Sequence, residues 1–250
     1  MTKKMIVRAD DLGYSEAVNL GIAKSINEGI VNNVGVMVNM PSVESGLELI
    51  KRKDIDYGCH TVICSGKPIT DPIKIPSITT EDGNFKPSSD YRNAKEDFVV
   101  YEEVLLEVEA QYQRFVDLIG KKPDYFEGHA VQSKNFFKAL TTIAERHDIS
   151  DLKFDFEKNT VSFNNQPLYA SFDFSLENYQ PLDTLKELAK QNHSSGYSMM
   201  VCHPGYIDQY LLDNSSLIFP RVKEVEMLCS NETKDWLKKN SIELIRYSEI

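Results

Sequence analysis

The chain has 250 residues, 41% of them hydrophobic, enough for one substantial core, and a single α/β domain over residues 1–250 suits barrel-type folds of this size. Its 38 acidic and 28 basic side chains leave a formal charge of −10, which argues against a general nucleic-acid or anionic-membrane surface, because both need clustered lysine and arginine. No stretch approaches the ~20 apolar residues of a membrane span, no signal-peptide core follows Lys3 and Lys4, and Cys59, Cys64, Cys202 and Cys229 lack CxxC spacing, which suits reduced thiols in the cytoplasm.

Residues 5–9 (MIVRA) form a short β-type run, followed by a turn-like stretch from Asp10 to Gly13. Ser15 is placed to cap a helix to about Glu28, with Ala17, Val18, Gly21, Ile22 and Ile26 along one stripe and Gly29 as its stop. A second strand is expected at 34–38, a helix at 42–52 and a third strand at 57–63 (YGCHTVI). This β–loop–α rhythm implies a parallel sheet with functional loops at the C-terminal ends of its strands.

The segment 65–92 breaks the rhythm. Pro68, Pro72, Pro76 and Pro87 fall in it, together with Gly66 and Gly83, which marks an excursion loop acting as lid or rim rather than an interdomain linker. A long helix follows at 96–119, then a strand at 125–128, a helix at 136–146 and a strand at 153–156. Residues 157–178 carry no assignable pattern. Asp183 is expected to cap a helix to about Gln191, 197–201 (YSMMV) is a strand, 222–239 reads as one or two helices and 242–247 as the last strand.

Several residues able to bind metal or move protons fall in strands or just after them: Asp10 and Asp11 after the first, His60 in the third, His129 after the strand at Tyr125, and His203 after YSMMV. Each alone has an ordinary explanation as a capping carboxylate or a hydrogen-bonded core histidine. Parallel strands would bring all of them to one rim. His147 (ERHD) and His193 (QNHSS) follow no apolar run and read as surface residues.

These residues lie in blocks that run in order along nearly the whole chain: RADDLGYSEAVNLGIAKSINEGIV, GCHTVICSGKPI, EGHAVQS, MMVCHPGYID, PRVKEVEML and IELIRYSEI. Together they resemble the YdjC-like carbohydrate deacetylases, which include chitooligosaccharide deacetylases. The resemblance implies an irregular (β/α) barrel of the glycoside hydrolase/deacetylase type and a divalent metal held by Asp11, His60 and His129. It implies Asp10 as general base, His203 as companion acid or oxyanion stabiliser, and Arg221 and Glu224 as an R-x-x-E pair at the rim that binds substrate. It also implies an acetylated sugar as substrate, a homodimer, and magnesium as the usual metal. Where the family shows HQHxH, this chain has His129 followed by Ala130, Val131, Gln132 and Ser133, which points to an altered sugar preference.

One carboxylate and two imidazoles leave open positions for water and substrate, and nitrogen and oxygen donors suit Zn, Co, Mn or Ni as well. Adjacent side chains of an extended strand point opposite ways, so Asp10 and Asp11 share a site only if the backbone turns between them. Two alternatives stay open: a metal-containing sugar-binding protein of the same fold without turnover, and a non-haem Fe(II) oxygenase, whose two-histidine, one-carboxylate set is similar.

Overall fold

The computed structural model describes residues 3–158 and 160–250. Its parallel strands are β1 (Lys3–Leu12), β2 (Asn33–Val36), β3 (Asp56–Thr61) and β4 (Tyr125–Gly128), separated by helices α1 (Glu16–Asn27), α2 (Val43–Glu48), α3 (Ser88–Asn93) and α4 (Tyr101–Ile119). Helix α5 (Lys134–His147) leads to the strands β5 (Lys153–Asp155), β6 (Thr160–Phe163) and β7 (Gln166–Ser171), of which β6 runs antiparallel to the other two. Helix α6 (Pro181–Lys190), strand β8 (Tyr197–Cys202), helices α7 (Gln209–Asn214), α8 (Phe219–Cys229) and α9 (Asn231–Lys239), and strand β9 (Ile242–Leu244) complete the chain.

The strands form one sheet in the order β4-β3-β2-β1-β8-β7-β6-β5, with β9 also paired to β1. Its two ends meet at a bridge between Phe126 and Asp151, where the Phe126 amide donates to Ser150 and the Leu152 amide to the Phe126 carbonyl. The sheet thus closes into an irregular barrel, the fold that the family resemblance implies. Alternation along β1 sorts its side chains: Met5, Val7 and Ala9 join the core under the helices, while Ile6 joins a second cluster with Tyr125, Phe163, Met199 and Tyr247.

Local chemistry accounts for most element boundaries. Ser15 accepts from the Val18 amide and starts α1 as expected. Helix α4 begins at Tyr101, not at 96, because the preceding residues bond elsewhere: the Val100 amide donates to Ser77, and Asp97 accepts from Ser133 and the Asn135 amide. The unassigned stretch contains the β6–β7 hairpin, turned by Asn164 and Asn165 at φ 47° and 62°, the left-handed pair that a two-residue hairpin turn demands. Pro181 opens α6 two residues before Asp183. Helix α7, capped by Asp208, was not anticipated. Ser230 divides α8 from α9 by capping the second.

The segment 65–92 is tied down. Buried Glu107 accepts from the Ile69 and Thr70 amides, Tyr91 donates its hydroxyl to Ile63, and Ile75 and Ile78 are fully buried. It is an anchored rim. The four cysteines carry free thiols, and no helix among the described residues is long and apolar enough to cross a membrane.

Candidate metal centre and catalytic pocket

The C-terminal ends of β1, β3, β4 and β8 open on a cavity of about 430 Å³ lined by Asp10, Asp11, His60, His129, His203 and Arg221, among others. Asp10 continues the inward set of β1 after Ile6 and Arg8. Asp11 would point away in a regular strand, but its backbone sits at φ 78°, and the pairing of β1 with β2 shifts between Ala9 and Leu12. This left-handed, non-glycine residue turns the second carboxylate into the same cavity at a cost of order 1–3 kcal/mol. The backbone turn that the Asp pair requires is therefore present.

Asp11 Oδ1 stands 3.3 Å from His60 Nε2 and 3.4 Å from His129 Nδ1, and the two ring nitrogens are 2.9 Å apart. Asp11 Oδ1 is buried and has no hydrogen-bond partner among the described residues. An orphaned carboxylate oxygen converging with two imidazole nitrogens is the donor set of a divalent cation, and these three residues group as potential ligands. The residues present fit a metal.

Each of the three side chains is held from behind. Arg221 Nη2 donates to Asp11 Oδ2 at 2.7 Å, and Glu127 Oε1 hydrogen-bonds His60 Nδ1, a carboxylate–histidine pairing that fixes the ring for metal binding. The His129 amide donates to Thr61 at 2.8 Å, and a tight turn at Ala130 (φ 52°) follows. Arg8 bridges two carboxylates, at 2.7 Å from Asp10 and 3.6 Å from Glu127. Asp10, His60 and Glu127 also lie close enough to share a cation, but there the His60 Nδ1 is already hydrogen-bonded to Glu127 and Arg8 pairs with both carboxylates, so the Asp11 cluster is the better candidate.

Burial opposes charge on all these groups, and their neighbours decide the outcome. Burial raises the Asp11 carboxyl, yet Arg221 and the two imidazoles outweigh it and hold it well below the usual carboxylate range. Burial lowers His60, but Glu127, Asp10 and Asp11 lift it well above an ordinary imidazole, and His129 is pushed up to about 9 by Cys64 and Asp11 against its own burial. His203 goes the other way: burial takes it down to about 4 despite Asp11. Its imidazole is neutral at pH 7, with Nδ1 buried and unpaired among the described residues.

Arg221 and Glu224 are both buried on α8. Arg221 borders the cavity, but its other donors are used on the Leu217 and His203 carbonyls. Glu224 is fully buried and off the cavity wall, accepting from Tyr179 and from the His203 amide at 2.6 Å; burial lifts its carboxyl to about 7. The expected substrate contact from Glu224 is thus corrected: it holds the His203 loop. Gly205 of that loop packs on Gly21 of α1 so closely that a Cβ on Gly21 would lie 2.5 Å from the Gly205 Cα, which relates the two glycine-bearing blocks physically.

Arg8, Glu127 and Gly35 escaped the sequence reading. The signal was the alternation of charge among apolar strand residues, Ile6-Arg8-Asp10 and Tyr125-Glu127. Gly35 on β2 faces Asp10 and His60; a Cβ there would meet Asp10 Oδ1 at 2.7 Å. Of the two positions where family histidines are missing, Val131 forms apolar cavity wall, while Ser133 is buried as the cap of α5 and bonds Asp97. His147 pairs with Glu109 and stacks on Tyr112, His193 bonds Ser198 and stacks on Tyr169, and neither lines this cavity.

Comparison with known proteins identifies the family. The family model described as YdjC-like protein matches residues 4–239. The chain belongs to the YdjC-like family. Among curated YdjC-like relatives, it is 31% identical to carbohydrate deacetylase 2 of Listeria innocua, over 99% of this chain and 98% of that one. It is 28% identical to a chitooligosaccharide deacetylase of Escherichia fergusonii over the full length of both. A solved Enterococcus faecalis structure, described as that of a candidate cellobiose-phosphate cleavage protein, superposes with a TM-score of 0.83 at 24% identity, covering 100% of this chain and 99% of the other. A family 4 acetyl xylan esterase from Clostridium thermocellum in complex with cobalt shares the fold more distantly, with a TM-score of 0.51 at 9% identity over 99% and 89% of the chains.

Proposed function

We propose that this YdjC-like chain is a metal-dependent hydrolase that removes the acetyl group from an N-acetylated sugar. The observation that carries the reading is the buried, unpaired Asp11 Oδ1 facing His60 Nε2 and His129 Nδ1. Deacetylase relatives that match over the whole chain support it. A divalent ion held by these three residues supplies polarisation of the acetamide carbonyl and acidification of a water molecule. One carboxylate with two imidazoles favours a transition metal over magnesium.

Asp10 is the general base. Its Oδ2 is engaged by Arg8, and its Oδ1 has no partner among the described residues and is free to accept the proton of the attacking water. His203 enters the reaction neutral, so its ring N–H donates to the acetyl oxygen as that oxygen gains charge. The proton taken by Asp10 then passes to the departing amine. This assigns His203 the oxyanion-stabilising role of the two that the resemblance allows. Arg221 and Glu224 fix Asp11 and the His203 loop, and Arg92, Gln132 and Ser216 on the cavity wall are available to sugar hydroxyls. Four free thiols suit a cytoplasmic setting.

The test is acetate release from N,N′-diacetylchitobiose and a panel of other N-acetylated sugars by the wild type and Asp10→Asn. The substitution is expected to keep bound metal while lowering turnover at least about 100-fold, as removal of a general base does. Near-normal release by Asp10→Asn would remove the base assignment. Sugar binding without release by the wild type would favour the non-catalytic binding reading, which Val131 in place of a family histidine makes concrete.

A further inference from the structure

We propose that Phe172 is a specificity-determining residue, the platform on which the sugar ring next to the acetylated one stacks. The inference rests on the deacetylase reading above and extends it to a second ring. Phe172 is 59% exposed. A lone exposed apolar side chain is ordinary on a protein surface, and Ile73 and Phe219 are more exposed still, at 86% and 73%. Neither of those two lines the cavity. Among the described residues, Phe172 is the one exposed large apolar side chain that also lines it.

Its backbone is fixed while its ring stays open. Phe172 follows β7, and the next turn is pinned where the Asp173 amide donates to Ser171 Oγ at 3.2 Å, Asp173 Oδ2 accepts from Thr184 at 3.1 Å, and the Phe172 carbonyl accepts from Ser175 Oγ at 3.0 Å. A backbone fixed in advance lowers the cost of ordering the ring on binding.

A line of aromatic contacts leads from the reacting groups to this ring. The Phe174 ring packs edge-on against His203 with centroids 4.6 Å apart, and Phe172 lies edge-on to Phe174 at 6.2 Å. A sugar acetylated at nitrogen with its acetyl carbon near Asp10 and His203 has Phe174 beside it, and the neighbouring ring falls over Phe172. The C–H face of a pyranose is apolar and suits an aromatic surface. Phenylalanine offers no hydrogen bond, so this platform reads the presence of a second ring and tolerates changes in its hydroxyl pattern.

The experiment is steady-state acetate release from N-acetylglucosamine and N,N′-diacetylchitobiose by the wild type, Phe172→Ala and Phe172→Trp. Phe172→Ala is expected to raise KM for the disaccharide about five- to ten-fold, the size of one aromatic contact, with kcat and the monosaccharide KM nearly unchanged; Phe172→Trp restores the disaccharide KM. Equal effects on both sugars, or none, overturn the proposal. If the wild type releases no acetate from either, calorimetric affinity for the disaccharide decides: weaker binding by Phe172→Ala upholds the platform while the deacetylase reading falls. Unchanged or absent binding overturns the platform.

Discussion

Asp11 Oδ1 lies within 3.4 Å of both His60 Nε2 and His129 Nδ1, while Arg221 holds Oδ2 at 2.7 Å. The Asp11 carboxylate was legible in the Asp-Asp pair, and so was the demand that the backbone twist to bring both side chains to one side. The sequence could not supply the rest of the electrostatics, because Arg221 lies 210 positions away and meets Asp11 only through α8. Arg8 and Glu127 were closer to hand, as charged residues at inward positions of apolar strands, yet their roles follow from the pairing of β3 with β4, which places His60 opposite Glu127. The same neighbours give a pH dependence. Without metal, His129 holds its proton up to about pH 9, so at pH 7 a metal must displace it. Metal affinity is therefore expected to fall as pH drops below 9, by about ten-fold per unit for each proton displaced. Calorimetry at pH 7 in buffers of different ionisation enthalpy should show proton release on binding; zero release would contradict this charge balance.

Among the elements, those with strong period and chemical caps are legible: α1 from Ser15 and β4 from its apolar run, whereas 222–239 left one helix or two open until the Ser230 cap divides α8 from α9. Boundaries set by distant partners are not legible. Helix α4 starts late because Asp97 bonds Ser133 and Asn135 across the fold, a contact without a local signature. The β6–β7 hairpin had a local signature in its Asn-Asn turn, but its strands are short and only partly buried, so alternation is weak. Ser133 shows how one position serves two elements, capping α5 while bonding the segment before α4. Ser133→Ala is expected to destabilise the fold by about 1–2 kcal/mol, the value of a lost N-cap, with metal affinity unchanged. Urea unfolding midpoints and a metal titration check both parts; a loss of metal affinity would place Ser133 in the site itself.

For the whole molecule, closure of the sheet matters most. The parallel Phe126–Asp151 bridge joins β4 to the insertion β5–β7, whose other edge, β7, pairs in parallel with β8, and Tyr247 from the C-terminal turn fills the interior between Tyr125 and Phe163. Parallel strands were inferable from the βα rhythm. That β5–β7, with β6 alone running against its neighbours, complete the barrel, and that Phe172 and Phe154 consequently stand on the cavity wall, was not, since the insertion breaks that rhythm. The result is a cavity that joins the charged cluster to an apolar side that includes Val131. The most direct measurement of the account is acetate release from an N-acetylated sugar by protein stripped of metal with a chelator and then refilled stepwise. The expected result is loss of release on stripping and full return at one equivalent of a divalent transition metal for the wild type, with no return for His60→Ala. Release that survives stripping, or that returns equally in His60→Ala, would contradict it.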